Sequence, residues 1–207
     1  MIYIFIIIIF LFSVIIHEVA HGAVANYLGD PTAKNAGRLN LNPIKHLDPI
    51  GSIAVPLFLF LASRVGGGGV IFGWAKPVPI NPLNFRDRKY GSMKTAIAGP
   101  MANLSIALAF GLFLRFFPGF FPSAAEMFSY IIFINIQLAV FNLMPIPPLD
   151  GSHILFAFLP ISERTKIILS NYGFYFLFFA VFFLYPYLLY IIDKIFWLFA
   201  GFPLLNY

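Results

Sequence analysis

The chain has no cysteine among its 207 residues. This excludes a disulfide framework, thiolate metal sites and a cysteine nucleophile, so any metal must be held by histidine and carboxylate. Charge is the second scarcity. Thirteen Lys and Arg and eight Asp and Glu make up 10% of the residues, against about 25% in an ordinary soluble domain. The net charge of +5 comes with no basic tail and no aromatic-basic RNA-binding motif, so nucleic acid is not an expected partner. What fills the chain is apolar: 60% of residues are hydrophobic, and the 27 Phe outnumber all charged side chains together. A globule this small cannot hide that much apolar surface from water. The composition excludes a cytosolic globule and a disordered chain, and points to an integral membrane protein with the lipid bilayer around it.

The first apolar run begins at Ile2 and lacks both a basic leader and a small-residue cleavage site. It reads as a retained membrane helix to about Leu28, closed by Asp30-Pro31. Ile50 to Ala62 is apolar but only about 13 residues long, which suits a re-entrant segment better than a span. Four glycines follow, Gly66 to Gly69. Val70 to Ile80 is β-branched and aromatic, with Pro77 and Pro79 confining it to a sheet edge. Thr95 to Leu114 is uncharged and long enough to span; Met127 to Met144 is apolar but carries Asn135, Gln137 and Asn142. Ile167 to Ile192 has no charge, Ile195 to Leu205 is apolar, and Pro186 either splits this tail or kinks it.

The fold expected is therefore an all-α polytopic membrane protein. It has five to six membrane helices, a re-entrant segment, and a small membrane-associated β-sheet or hairpin. One domain covers 1–207: a core over 1–30 and 94–155, a cytoplasmic or re-entrant region over 31–93, and C-terminal helices over 165–205. If 50–62 dips in and returns, Lys34, Arg38, Lys45, Arg64, Lys76, Arg86, Arg88, Lys89 and Lys94 share a face with Arg164 and Lys166. The loop after the next span holds only Arg115. Positive charge stays on the cytoplasmic side, so a multi-pass protein of the cell membrane is expected, with its N-terminus outside and 31–93 in the cytoplasm.

His17-Glu18-Val19-Ala20-His21 places two imidazoles at i and i+4, on one helical face, where both can reach one ion. Neutral imidazoles suit zinc. Glu18 lies beside that face and can accept a proton from water that the metal activates. Three ionisable groups in a lipid-embedded helix are costly, which marks them as functional. A third ligand must come from elsewhere. Asp150 stands out, because it ends a Pro-Ile-Pro-Pro-Leu stretch whose irregular backbone is tolerated at membrane depth where it lines a cavity. His153 and His46 compete for the place.

HEVAHG at 17–22, AGPMAN at 98–103 and NLMPIPPLDG at 142–151 together resemble the site-2 protease family, the intramembrane zinc metalloproteases. The likeness covers most of the chain. GDPTAKNAGRLNLNPIKHLDPIG and FGWAKPVPINPLNFR are similar to the short prokaryotic members without PDZ or CBS domains. Ser152-His153 stands where a second glycine is common.

The resemblance implies an endopeptidase that hydrolyses peptide bonds in or near transmembrane segments of protein or peptide substrates. It implies one Zn2+ per chain on His17, His21 and Asp150, with Glu18 as general base. Asn142 would position the scissile peptide or help hold the oxyanion. Gly99 and Pro100 read as close helix packing and Asn103 as a bond between helices. A substrate helix must unwind before it is cut, and Val70, Phe72 and Trp74 on the edge strand are candidates to hold it by β-augmentation.

Two other classes remain to be compared. A metal-ion transporter using the same His and Asp site predicts further acidic or His residues along the other helices, and 95–114 and 167–192 carry none. An inactive scaffold homologue predicts a lost ligand or base, and all four residues are present. No regulatory domain is visible, so gating would come from membrane partners or from helix motion; the oligomeric state is open.

Overall fold

Apolar runs in lipid become helices because the bilayer offers backbone groups no other partner. The computed structural model describes residues 2–48, 51, 76–117, 119, 124–159 and 161–204. Helix α1 spans Ile2–Tyr27, followed by single turns α2 (Thr32–Asn35) and α3 (Pro43–His46) and a 3-10 turn at Pro82–Asn84. Then come α4 (Gly91–Phe116), α5 (Ala125–Asn142), α6 (Asp150–Phe158) and α7 (Glu163–Ala200).

Among the described residues, four helices are long and apolar enough to cross a membrane: α1, α4, α5 and α7. Four among the described residues stands against the five to six expected for the whole chain. The tail is one helix of 38 residues with Pro186 inside it. Its ends explain why. Ser162 caps the start by accepting from the Thr165 N–H, and Gly201 closes the end at φ 84°, while a single internal proline removes only one N–H. At about 57 Å, α7 is nearly twice the hydrocarbon thickness, so it must tilt or run past the bilayer. The re-entrant segment at 50–62 and the strand positions Val70, Phe72 and Trp74 lie outside the described residues. No strand occurs among those that are described. Residues 76–80 are extended but unladdered, because Pro77 and Pro79 have no N–H to offer.

Helix α4 is the hub and packs against α1, α5, α6 and α7. It can do so because Gly91, Ala96, Gly99, Ala107 and Gly111 lie on its buried faces, and small residues let membrane helices approach closely. A Cβ on Gly111 would sit 2.7 Å from Phe199 Cβ. Below this contact, Leu114, Ile132, Ile136, Ile192 and Phe196 form the main core. The opposite face of α7 leaves Phe174, Phe178, Phe179, Phe182 and Phe183 exposed, which in water would be untenable and in lipid is solvation.

Two local devices place the site. After α1, Gly29 takes φ 110° and turns Asp30 inward to zero exposure. Its carboxylate accepts from the Thr32 N–H and hydroxyl, the Asn81 N–H at 2.7 Å and Asn84 Nδ2 at 2.8 Å. Burial works to raise this carboxyl, but the hydrogen bonds from Thr32, Asn84 and Asn81 outweigh it and hold it below the usual range. The 81–84 turn is thereby fixed to the end of α1. The second device is the proline turn 143–149. Gly151 lies against the Leu143 and Met144 carbonyls and Gly173 of α7 against the Pro147 carbonyl, approaches that any Cβ would prevent. This clamp starts α6 at Asp150 beside α1.

Candidate metal centre

On α1, His17 and His21 are both 6% exposed and face α4. Their ring planes stand at 88° with centroids 4.6 Å apart. Two acceptors fix their tautomers. His17 Nδ1–H donates to Asn103 Oδ1 at 2.6 Å, and His21 Nδ1–H donates to the Thr95 carbonyl at 2.7 Å. Each ring thus keeps a bare lone pair on Nε2. Those two nitrogens lie 3.0 Å apart, and Asp150 Oδ2 lies 3.1 and 3.2 Å from them. The Asp150 oxygen is buried and receives no hydrogen bond. Three donor atoms therefore converge on one point, an arrangement that a bound cation would satisfy.

The spacing fits zinc. Bonds of about 2.0–2.1 Å in a tetrahedron put ligand atoms about 3.3–3.4 Å apart, close to the 3.0–3.2 Å found. Two histidines and a carboxylate are also a donor set that leaves a fourth position open. Among the described residues, no other group of three such side chains could hold a metal. His46 is fully buried in α3, its Nε2–H donates to the Asn40 carbonyl 2.8 Å away, and it stands outside the three. His153 lines the same cavity but stands outside the three.

That cavity, about 390 Å³, is bounded by His17, Glu18, His21 and Asp150 on one side. Pro77, Val78 and Ile80 close another wall, and Asn142, Pro148 and His153 a third. Asn142 ends α5 and gives one Nδ2 hydrogen to the Leu138 carbonyl at 2.9 Å. Its second hydrogen remains for the cavity.

Two roles were hidden in the sequence. Gly99 is more than a packing residue: a Cβ there would come within 2.5 Å of His21 Nε2 and 2.6 Å of His17 Nε2. Asn103, one turn further along α4, is the outer partner of His17. Its Nδ2 donates to the Ser13 carbonyl and to Asn135 Oδ1, so its oxygen must face the imidazole. Asn135 is held in turn by Ser13 Oγ and the Ile131 carbonyl. The signal for this relay was one polar residue in each of three apolar helices, Ser13 of α1, Asn103 of α4 and Asn135 of α5, which no single motif contains.

Residues 120–180 match peptidase family M50. Over 172 residues the chain is 40% identical to "Putative zinc metalloprotease YwhC" of Bacillus subtilis, covering 78% of this chain and 73% of that one. The chain belongs to peptidase family M50, the site-2 proteases. Rip2 of Mycolicibacterium smegmatis, named as the same kind of enzyme, is 31% identical over 170 residues, which cover 79% of this chain and 61% of Rip2. MJ0611 of Methanocaldococcus jannaschii is 40% identical over 63 residues, 30% of this chain and 32% of that protein. No solved structure matches.

This M50 peptidase is a zinc metalloprotease with helices apolar enough to span a membrane, and His17, His21 and Asp150 could hold its metal. Outer partners of metal histidines are typically worth about 10–100-fold in affinity. Asn103→Leu in the M50 chain should therefore weaken zinc by about that factor, read by competition against a chromophoric chelator. An unchanged affinity would remove the Asn135–Asn103–His17 relay from the metal site.

Proposed function

We propose that the protein cuts peptide bonds in or near transmembrane segments of membrane proteins, with one zinc per chain on His17, His21 and Asp150. The observation that carries the reading is the convergence of two bare imidazole lone pairs and an unpaired carboxylate oxygen on a cavity that Glu18 also lines. A bound zinc would supply Lewis acidity toward the peptide carbonyl and a water acidic enough to attack near neutral pH. Glu18 takes the proton of the attacking water and later delivers it to the leaving amine. Asn142, with one amide hydrogen free, donates to the carbonyl oxygen as charge develops there. The cavity has room for several waters, which hydrolysis at membrane depth requires.

The orientation proposed has residues 31–93 in the cytoplasm and the N-terminus outside. It is supported by Arg88, Lys89 and Lys166 lining one recess of about 370 Å³. The starts of α4 and α7 thus lie at the same end of the bundle, as the positive-inside rule asks of two basic segments.

The purified chain in detergent should cleave a panel of transmembrane peptides, lose that activity to a zinc chelator, and regain it when zinc is returned. Peptides cut equally well after metal removal would exclude the reading, as would the complete absence of bound zinc.

A further inference from the structure

The function proposed gives no work to the extended segment Lys76–Ile80, although it forms a wall of the cavity. Because Pro77 and Pro79 lack an N–H, Val78 carries the only amide hydrogen between Lys76 and Ile80. That hydrogen is donated to Glu18 Oε2 at 2.8 Å, across 60 positions of chain.

Both flanks of the segment are tied down. On one side the Lys76 N–H donates to the His46 carbonyl at 2.9 Å, and Arg38 Nη2 donates to the Lys76 carbonyl at 2.7 Å. On the other, the Asn81 N–H and Asn84 Nδ2 end on Asp30. Asp30, Arg38 and His46 are 0%, 7% and 0% exposed, so the anchors are built into the fold. Gly22 completes the arrangement. It lies at i+4 from Glu18, on the same face of α1, and a Cβ there would meet Val78 Cγ1 at 2.9 Å and Leu39 Cδ2 at 2.7 Å. Glycine at 22 is what lets the segment lie flat against the helix next to the Glu18 carboxylate.

We infer that the Val78 N–H orients the Glu18 carboxylate, and that Gly22, Asp30 and Arg38 are positioning residues that hold Val78 in place. A free Glu side chain has three torsions to order. The strap fixes Oε2 and leaves Oε1 for the proton, so the base is aimed before substrate arrives. The inference rests on Glu18 being the base. It differs from that reading in assigning the aim of the carboxylate to a backbone amide 60 residues away.

The test uses the full chain in nanodiscs with a transmembrane peptide, comparing Val78→Pro, which removes the hydrogen, with Val78→Ala, which keeps it. Misplacing a catalytic group by about 1 Å can cost about 100-fold. Val78→Pro should lower kcat by about 10- to 100-fold with KM within about twofold and zinc content unchanged, while Val78→Ala stays within about fivefold of wild type. In a Glu18→Asp background, where the carboxylate is already displaced, Val78→Pro should cost less than it does in the wild type.

Gly22→Val and Asp30→Ala carry the same kcat expectation and serve if Val78→Pro does not fold. Equal losses in Val78→Pro and Val78→Ala, a rise in KM at constant kcat, or strictly additive losses with Glu18→Asp would overturn the inference. Retained turnover in Glu18→Gln would instead overturn the role of Glu18 itself.

Discussion

Asp150→Ala should abolish stoichiometric zinc and, with it, cleavage. The expected loss is larger than for any outer partner, because a site with three protein ligands keeps only two imidazoles. The variant should still fold. In the metal-free protein, Asp150 Oδ2 lies 3.1 and 3.2 Å from the two Nε2 atoms, where a protonated imidazole pairs with it. Removing it costs that pair, so the metal-free variant should unfold at or somewhat below the temperature of the metal-free wild type. The stabilisation that zinc gives the wild type, which follows from binding only the folded state, should vanish. Metal analysis and thermal unfolding with and without zinc check both signs at once. Wild-type zinc content in Asp150→Ala would exclude Asp150 as a ligand.

The same residues show what a sequence can and cannot reveal. His17, Glu18 and His21 are legible because helical periodicity alone decides that they share a face. Asp150 was legible in a weaker sense: the prolines at 145, 147 and 148 announce a broken helix, but not that Gly151 and Gly173 let the break close up against α7. Gly99 reads as packing because nothing local says that the groups packed against it are His17 and His21, about 80 positions earlier. The strap belongs to the stretch 70–80 that the sequence suggests as a sheet edge, of which 76–80 is described and carries no strand. Its prolines did signal the absence of a ladder, yet the partner of its one free amide is a carboxylate on another element. At Pro186 the sequence leaves a split and a kink open, and the tail forms one helix, because a single missing N–H is a small loss within a ladder of 38 residues capped at both ends. Local periodicity was enough to put His17 and His21 on one face, whereas the residues that hydrogen-bond them depend on contacts fixed only by the packing of α1 on α4.

Glu18→Gln should lower turnover by about 10²–10⁴-fold, the usual contribution of a positioned general acid or base, while leaving zinc and fold intact. The substitution preserves shape. The Gln oxygen can still accept the Val78 N–H that Glu18 Oε2 receives at 2.8 Å, so the strap keeps its contact. His17, His21 and Asp150 reach one another without Glu18, so metal content has no reason to change. What is lost is the ability to take a proton, since an amide oxygen is too weak a base to hold one near neutral pH. Metal analysis and single-turnover cleavage of a transmembrane peptide separate the two quantities. Asp150→Ala removes the metal and with it the chemistry; Glu18→Gln keeps the metal and removes the chemistry. A metal-ion transporter would give a different pair of results, with transport following zinc affinity in both variants and no peptide cleaved by the wild type. Undiminished cleavage by zinc-loaded Glu18→Gln would show that the proton goes elsewhere, and His153, which lines the same cavity, would then be the group to test.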